Sequence, residues 1–319
     1  MSNKNKICII VPAKGNPSTL ISCIESLINL DYRPFEISIV DDGLSADSVK
    51  LLERFAGRIN ILHSDSRGPS SARNMAVYNT DVPFVAFTDC DCIVDKQWLF
   101  ELARGFQEFP QAAACGGIQE IPEDTGQFEK KVNLLMQKAS CVTDYMRSPN
   151  TDKITEVKHN ASCCAMYKRD VFLKEKGFSE GLWPGEDVEF DCRLRKKGYK
   201  IFCNPKAVVY HYRTKDRAAF NSMMFRYGRA QGILVRKYNI LRTIHIVPLL
   251  SLFMIALFIL SLQFNFSLLY LIVITALGLS LWAYLRFDWR MLELAFKGAI
   301  YWNCGFFKGL ISNRAGYGI

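Results

Sequence analysis

Two acids and two thiols alternate in a short stretch that could bind a metal ion. Asp89 and Asp91 alternate with Cys90 and Cys92, directly after the apolar run 83–87. If the strand persists that far, the acids point to one face and the thiols to the other. Carboxylates suit Mg²⁺ or Mn²⁺ that also binds a substrate phosphate. Thiolates would favour zinc, but C-x-C without a second close Cys/His pair is a weak zinc signature. We therefore interpret the acids as the chemical pair.

Two further groups of acids accompany this D-x-D, which alone is a common pattern. Asp41 and Asp42 follow another strand-like run, and Glu186 and Asp187 open a helix-like stretch. Each group also has a structural interpretation. Acids are common in turns, and the helix dipole favours them at helix N-termini. The residues alone leave both interpretations open.

The elements that position these acids alternate between strands and helices. Strand-like runs occupy residues 6–11, 35–40, 58–63 and 83–87, and helix-like stretches occupy 17–30, 45–57 and 68–79. This alternation predicts an α/β fold in which a mostly parallel sheet carries helices on both faces. Ligands of such sheets bind beyond the carboxyl ends of the strands. The polar clusters 12–16, 41–43 and 89–91 should therefore meet at one edge.

Charge and motifs narrow the class of ligand. The chain has 319 residues, a formal charge of +9 and a pI near 9.0, which indicate an anionic partner such as a phosphorylated substrate, a membrane surface or nucleic acid. Neither usual phosphate-binding loop is present, so a metal ion is the obvious group to handle phosphate charge. The eleven cysteines are dilute and odd in number, which favours reduced thiols in the cytosol.

The C-terminal third contains two long uncharged segments. The ranges 244–262 and 266–285 are each long enough to span a bilayer core, which needs about 20 apolar residues. Basic residues flank the pair on both sides: Arg236, Lys237, Arg242, Arg286 and Arg290. Positive flanks stay cytoplasmic, so the sequence predicts a transmembrane hairpin with both ends inside the cell. The following segment, 291–312, is apolar but holds charges and glycines, and we interpret it as interfacial or re-entrant.

An ordered set of segments resembles glycosyltransferase family 2. The segments are VPAKGNPSTLISCIESLINLDY, EISIVDDGLSADS, RGPSSARNMAV, FTDCD and GEDVEFDCRLRKKGYK, in that order, and the resemblance covers roughly Ile7 to Tyr212. It implies a GT-A fold, a nucleotide-diphosphate sugar as donor and transfer with inversion at the anomeric carbon. The expected arrangement is a cytosolic GT-A domain, 1–230, followed by a membrane region, 231–319.

The resemblance implies roles for the donor-side residues. Asp41 would lie by the base of the nucleotide, with Pro12 and Ala13 lining the same site and Asp42 in the nucleotide-sugar site. Arg73 would approach the nucleotide or stabilise its own loop.

It also implies a metal and a base. Asp89 and Asp91 would form the D-x-D that holds Mn²⁺ or Mg²⁺, with Asp91 the more direct ligand, and His211 matches a metal or diphosphate ligand of some members. Asp187 matches the general base, and Glu186 is its neighbour near the acceptor.

The expected function is transfer of one sugar at a time to a lipid-linked saccharide at the cytoplasmic face of the membrane. The family's processive Q-x-x-R-W motif is not found, and uridine is the expected base on family grounds alone. Two alternatives remain: transfer to polyprenyl phosphate itself, and a catalytically silent, membrane-tethered nucleotide-binding scaffold. We expect no nucleic-acid partner, because the basic residues cluster against the predicted spans and no aromatic-flanked groove motif occurs.

Overall fold

The computed structural model describes residues 5–15, 17–65, 67–139, 152–263 and 289–312, with a few positions between 270 and 278. These residues form two compact units. The first contains residues 5–125 and 152–213, and the second contains residues 126–139 and 214–312 outside the gaps. The boundary expected at residue 230 lies inside a helix of the second unit, Arg217–Tyr238.

Within the described residues, nine strands form one sheet in the first unit. They are β1 Ile7–Gly15, β2 Phe35–Leu44, β3 Asn60–His63, β4 Phe84–Phe87, β5 Cys92–Val94, β6 Ala112–Glu120, β7 Thr155–Glu156, β8 Ala165–Lys168 and β9 Lys200–His211. Their order is β3-β2-β1-β4-β8-β6-β9-β5, with β7 paired to β9. Six run in the same direction, and β5, β7 and β8 run the opposite way. The predicted α/β fold with a mostly parallel sheet is confirmed.

Helices cover both faces of this sheet. They are α1 Leu20–Ile28, α2 Ala46–Leu52, α3 Pro69–Tyr78, α4 Trp98–Glu108, α6 Arg169–Lys174 and α7 Glu186–Lys196. Alternate residues of β1 explain the two layers. Ile7 and Ile9 join the core beneath α1 and α4, whereas Cys8 and Ile10 join the core beneath α3 and α7. Because successive side chains of a strand point to opposite faces, β1 contributes apolar residues to the cores on both sides of the sheet.

The strand β4 ends before the D-x-D. The Cys92 N–H donates to the Asp89 carbonyl at 3.0 Å, so residues 89–92 form a turn and Cys92 begins the separate strand β5. The strand does not persist to Cys92, so the condition on which the predicted alternation of acids and thiols depended is not met. A turn re-aims each side chain individually, and Cys92 is placed opposite His211 of β9.

The second unit is helical. Its helices are α5 Gln127–Lys138, α8 Arg217–Tyr238, α9 Ile246–Gln263 and α10 Trp289–Ile311. The helix α5 is amphipathic, because Val132, Leu135 and Met136 recur at helical spacing and are buried. The segment 291–312 forms most of the helix α10, which packs along α8. Gly228 and Gly232 of α8 meet Gly305 and Gly309 of α10 so closely that an added Cβ would lie 1.9–2.2 Å from backbone carbonyl oxygens.

One described helix is long and apolar enough, by length and composition, to cross a membrane. The candidate span is Thr243–Leu260, which includes most of α9, and little of it is buried within the protein. Most of the second predicted span, 266–285, lies outside the described residues. The described part of the chain therefore supports a single span, and the hairpin and the multi-pass arrangement gain no support from it.

Candidate active site

A cleft of about 230 Å³ lies where the three polar strand ends meet in the first unit. Its lining includes six residues that the sequence assigns to the site, namely Pro12, Ala13, Asp42, Arg73, Asp89 and Asp91, and four more, namely Lys14, Pro69, Cys90 and Trp183. The convergence expected from the strand order occurs because β2, β1 and β4 are parallel neighbours, so their carboxyl ends share one edge.

Asp41 acts within its own turn. The N–H groups of Gly43 and Leu44 donate to its Oδ1 at 2.9 and 2.7 Å, and its Oδ2 lies 3.1 Å from His63 Nδ1. Burial opposes the carboxylate form, but these hydrogen bonds outweigh it and lower the pKa of Asp41. Among the described residues, Asp41 is not part of the cleft lining.

Asp42 is the acid of this pair that faces the cleft. Its side chain is buried, with 2% of its surface exposed. Its Oδ1 accepts hydrogen bonds from Ser64 Oγ at 2.5 Å and from the Gly68 N–H at 3.3 Å. Its Oδ2 has no hydrogen-bond partner among the described residues. A buried carboxylate oxygen without a donor is costly, so this atom is suited to a donor group on a ligand.

Arg73 joins the D-x-D to the acids of α7. It extends from α3, is 1% exposed, and donates from Nη2 to Asp89 Oδ1 at 2.5 Å and from Nη1 to Glu186 Oε1 at 2.9 Å. A buried charge needs partners of opposite sign, and Arg73 has two. The guanidinium therefore fixes Asp89 and Glu186 relative to each other.

Glu186 and Asp187 begin α7, but their surroundings differ. Gly185 precedes them with φ +108°, a conformation that favours glycine. Burial and the neighbouring Asp187 raise the pKa of Glu186 to about 8, although Arg73 opposes this rise. Asp187 is only partly buried, and its Oδ2 accepts from the Ser162 N–H at 3.1 Å. Glu186 is enclosed by protein, whereas Asp187 is accessible.

Asp91 and His211 form the second charged pair of the site. The Asp91 side chain is 49% exposed, and its Oδ1 lies 3.4 Å from His211 Nε2. The Tyr212 N–H donates to the Asp91 carbonyl at 3.1 Å, which ties the end of β9 to the turn that carries Asp91. The Asp91 carboxylate outweighs burial and raises the pKa of His211 to about 10, and His211 in turn lowers the pKa of Asp91.

This pair fits a divalent metal ion. Asp91 offers a carboxylate oxygen that is open to the cleft, His211 offers an imidazole nitrogen, and Asp89 is held beside them by Arg73. Carboxylates suit Mg²⁺ and Mn²⁺, and a ligand set that includes imidazole favours the softer Mn²⁺.

Three residues near the site could not be assigned from the sequence. Trp183 lines the cleft and is 44% exposed, so its ring is available to a sugar or a base. Cys92 and Cys163 lie against His211, with the two sulfurs and a ring nitrogen within 4.8 Å of one another. A hydrogen bond from Cys92 and the nearby His211 lower the pKa of Cys163 to about 6. The pairing of β5 with β9 brings Cys92 to His211, and the turn before β8 adds Cys163, so no local spacing reveals the cluster.

The α/β fold and its acid-lined cleft agree with the family that comparison with known proteins identifies. The family model described as "Glycosyl transferase family 2" matches residues 8–174. The chain belongs to glycosyltransferase family 2.

Known structures share the GT-A fold. S. aureus TarS residues 1–349, solved with UDP-GlcNAc, is 18% identical, covers 95% of this chain and 91% of its own, and has a TM-score of 0.51. GalNAc-T7, solved with UDP, GalNAc and Mn²⁺, is 16% identical over 73% of this chain and 49% of its own, with a TM-score of 0.54. The expected GT-A fold is confirmed.

Curated relatives are glycosyltransferases as well. The chain is 26% identical to a Methanococcus voltae protein named dolichyl N-acetyl-alpha-D-glucosaminyl phosphate 3-beta-D-2,3-diacetamido-2,3-dideoxy-beta-D-glucuronosyltransferase, over 74% of this chain and 77% of that one. It is 28% identical to the pre-mycofactocin glycosyltransferase of Mycobacterium tuberculosis over 72% of this chain, and the match spans about half, 48%, of that protein.

Proposed function

We propose that the chain is an inverting, metal-dependent glycosyltransferase that moves a sugar from a UDP-sugar to a lipid-linked saccharide at the cytoplasmic face of a membrane. One observation carries the proposal. The cleft is lined by a buried acceptor without a donor among the described residues (Asp42), an exposed carboxylate that pairs with His211 (Asp91) and a buried arginine (Arg73) that joins Asp89 to Glu186 at the start of α7.

The donor half of the cleft recognises a nucleoside diphosphate. Asp42 Oδ2 accepts the N–H of a base such as uracil, because it is buried and has no other donor among the described residues. This places the base contact on Asp42, whereas Asp41 holds the turn beside it. UDP and UDP-GlcNAc accompany the two structurally similar proteins, which makes uridine nucleotides the first to test.

Asp91, His211 and Asp89 hold the metal ion. When bound, Mn²⁺ or Mg²⁺ supplies positive charge against the diphosphate that leaves. Arg73 keeps Asp89 in place through its 2.5 Å contact, and the Tyr212 N–H keeps the Asp91 turn against the end of β9. Both ligands are thus positioned before the donor arrives, which avoids reorganisation during the reaction.

The acceptor half centres on Asp187. Its partly exposed carboxylate takes the proton of the acceptor hydroxyl, which must lie about 3 Å away for this transfer. Glu186 stays enclosed between Arg73 and Ser162 and positions the start of α7. With one base and no covalent intermediate, a single displacement inverts the anomeric carbon.

The lipid-linked acceptor and the membrane location are supported by two observations. The helix α9 exposes large apolar side chains, among them Leu249 and Phe253, over a candidate span. The Methanococcus voltae relative is named for a dolichyl-linked sugar phosphate. Together they favour an acceptor whose lipid lies in the bilayer and whose sugar reaches a cytoplasmic domain.

Calorimetric titration of the full chain in detergent with UDP, GDP and CMP, with and without Mn²⁺, tests the proposal. We expect the protein to bind UDP, but not GDP or CMP, and to do so only with Mn²⁺. We expect the Asp91→Asn variant to lose this binding. Asp81→Asn is the matched control, because Asp81 is a fully exposed acid that precedes β4, at the opposite end from Asp89. Absence of binding to all three nucleotides by folded protein would contradict the proposal and favour a silent scaffold.

A further inference from the structure

Two buried thiols and an imidazole converge behind the D-x-D turn. Cys92 Sγ, Cys163 Sγ and a ring nitrogen of His211 all lie within 4.8 Å of one another, and we call these three residues the Cys₂His cluster. Cys92 and Cys163 are 0% and 4% exposed. Neither thiol has a role in the proposed transfer reaction, so the cluster calls for a separate explanation.

The fold assembles this cluster from three distant parts of the first unit. Cys92 begins β5 and is paired with His211 near the end of β9, and Cys163 lies in the short turn before β8. The surroundings are more polar than those of an ordinary buried thiol. Asp91 Oδ1 lies 3.4 Å from His211 Nε2 and 3.9 Å from Cys92 Sγ. Asp91 therefore adds a fourth group that can ligate a metal, next to Cys92 and His211.

We propose that the Cys₂His cluster is a binding site for Zn²⁺, with Asp91 as the fourth ligand. Two thiolates and one imidazole form the soft and borderline set that selects zinc over Mg²⁺ or Mn²⁺. A tetrahedral zinc site with Zn–S near 2.3 Å separates its sulfur ligands by about 3.8 Å. The ligand atoms of Cys92, Cys163 and His211 all lie within 4.8 Å of one another. Side-chain movements of about 1 Å or less would bring them to the separations of a tetrahedral site.

Zinc at this site has a consequence for the proposed reaction. His211 Nε2 and Asp91 can serve one ion at a time, so bound Zn²⁺ withdraws both from the ion that accompanies the nucleotide. Zinc is then an inhibitor that competes with the catalytic metal. This consequence rests on the proposed function, whereas the zinc site itself does not.

A zinc titration tests the site without any nucleotide. The full-length protein is kept in detergent under reducing conditions, after a chelator has removed its metal. We expect one equivalent of Zn²⁺ per chain by titration against a chromophoric chelator. Affinity should fall at least about 100-fold in Cys163→Ser, Cys163→Ala and Cys92→Ser, because changes outside the first ligand shell alone cost 10–100-fold. Cys192→Ser and Cys304→Ser, two thiols outside the cluster, should bind as the wild type does.

Cobalt gives a second readout that does not depend on how the variants fold. Co²⁺ added to the wild-type protein should produce the thiolate charge-transfer and intense visible bands of a tetrahedral sulfur site. Weak octahedral colour, sub-stoichiometric zinc, unchanged affinity in the folded Cys163 variants or a Cys92–Cys163 disulfide in the isolated protein would each overturn the proposal. A protein that binds zinc but no nucleotide would overturn the proposed function and leave the zinc site standing.

Discussion

The two units of the molecule treat charge and apolar surface in opposite ways. The first unit encloses ionisable side chains beside its cleft, with Arg73 and Glu186 1% and 2% exposed. The second unit exposes its most apolar helix, with Leu249 and Phe253 65% and 59% exposed. Buried charge raises the free energy of a fold unless partners compensate it, and exposed apolar surface does so in water. The first arrangement is typical of a reaction site, and the second is consistent with a lipid environment.

The largest expected effect is a loss of turnover, and it distinguishes the roles of Glu186 and Asp187, the two acids at the start of α7. Asp187→Asn should lower turnover of the nucleotide sugar by about 100- to 10,000-fold, which is the usual contribution of a general base. Binding of UDP with Mn²⁺ should change little, because Asp187 is not among the described residues that line the cleft. Release of the nucleoside diphosphate and calorimetry measure the two properties on one protein.

Glu180→Gln is the control for that experiment, since Glu180 is an exposed acid shortly before α7. Equal turnover by Asp187→Asn and the wild type would remove the proton-accepting role from Asp187. A parallel loss of UDP binding would instead move Asp187 to the donor half of the site.

The buried carboxyl group of Glu186 should make the stability of the protein depend on pH. Burial raises its folded-state pKa to about 8 from an ordinary 4.5, so the folded protein holds this proton more tightly than the unfolded chain does. The contribution is therefore fully present below about pH 4.5 and is lost as the pH rises through about 8. The loss amounts to at most about 5 kcal/mol.

Denaturant unfolding of the full chain between pH 5 and pH 8.5 measures this loss. Glu186→Gln should flatten the fall in unfolding free energy, because the amide does not titrate, whereas the exposed control Glu180→Gln should keep the wild-type slope. A wild-type slope in Glu186→Gln would show that another group titrates.

The strands and helices of the first unit were predictable because their signals are local. Apolar runs with polar boundaries located β1 to β4, and the parallel order then required that their polar ends meet. The division of labour between Asp41 and Asp42 was not predictable. Two adjacent aspartates cannot be told apart in the sequence. The geometry of the turn directs the side chain of Asp41 to backbone N–H groups and that of Asp42 to the cleft.

Two further features of the structure could not be predicted from the sequence, because they depend on long-range strand pairing and on contact between helices. The Cys₂His cluster depends on the register of β5 against β9, which no spacing encodes. In the second unit the uncharged character of α9 was visible in the sequence. The role of the glycines at 228, 232, 305 and 309 was not, because a G-x-x-x-G pattern marks a close contact only when the facing helix is known.

A charged residue introduced on α9 tests whether the exposed apolar surface of the second unit lies in a membrane. Phe253→Asp should lower the fraction of protein in the membrane about 100-fold, since an aspartate near the centre of a span costs about 3 kcal/mol. Flotation of the full chain with liposomes measures the change. Tyr78→Asp places the same charge at an exposed aromatic of α3 and should leave flotation unchanged. Unchanged flotation of Phe253→Asp would mean that α9 does not enter the bilayer.

The smallest expected effect concerns how the second unit packs. An added Cβ at Gly228 would lie 1.9 Å from the Trp302 carbonyl oxygen, so Gly228→Ala must push α8 and α10 apart. Overpacking of this kind usually costs 1–3 kcal/mol, which corresponds to a fall in Tm of about 2–4 °C for each kcal/mol. Gly278→Ala is the control, because an added Cβ there would meet no atom of the described residues within 4 Å. Alanine favours a helix over glycine by about 1 kcal/mol, so the control should be neutral or more stable. Equal Tm values for the two variants would show that the backbones of α8 and α10 are not in close contact.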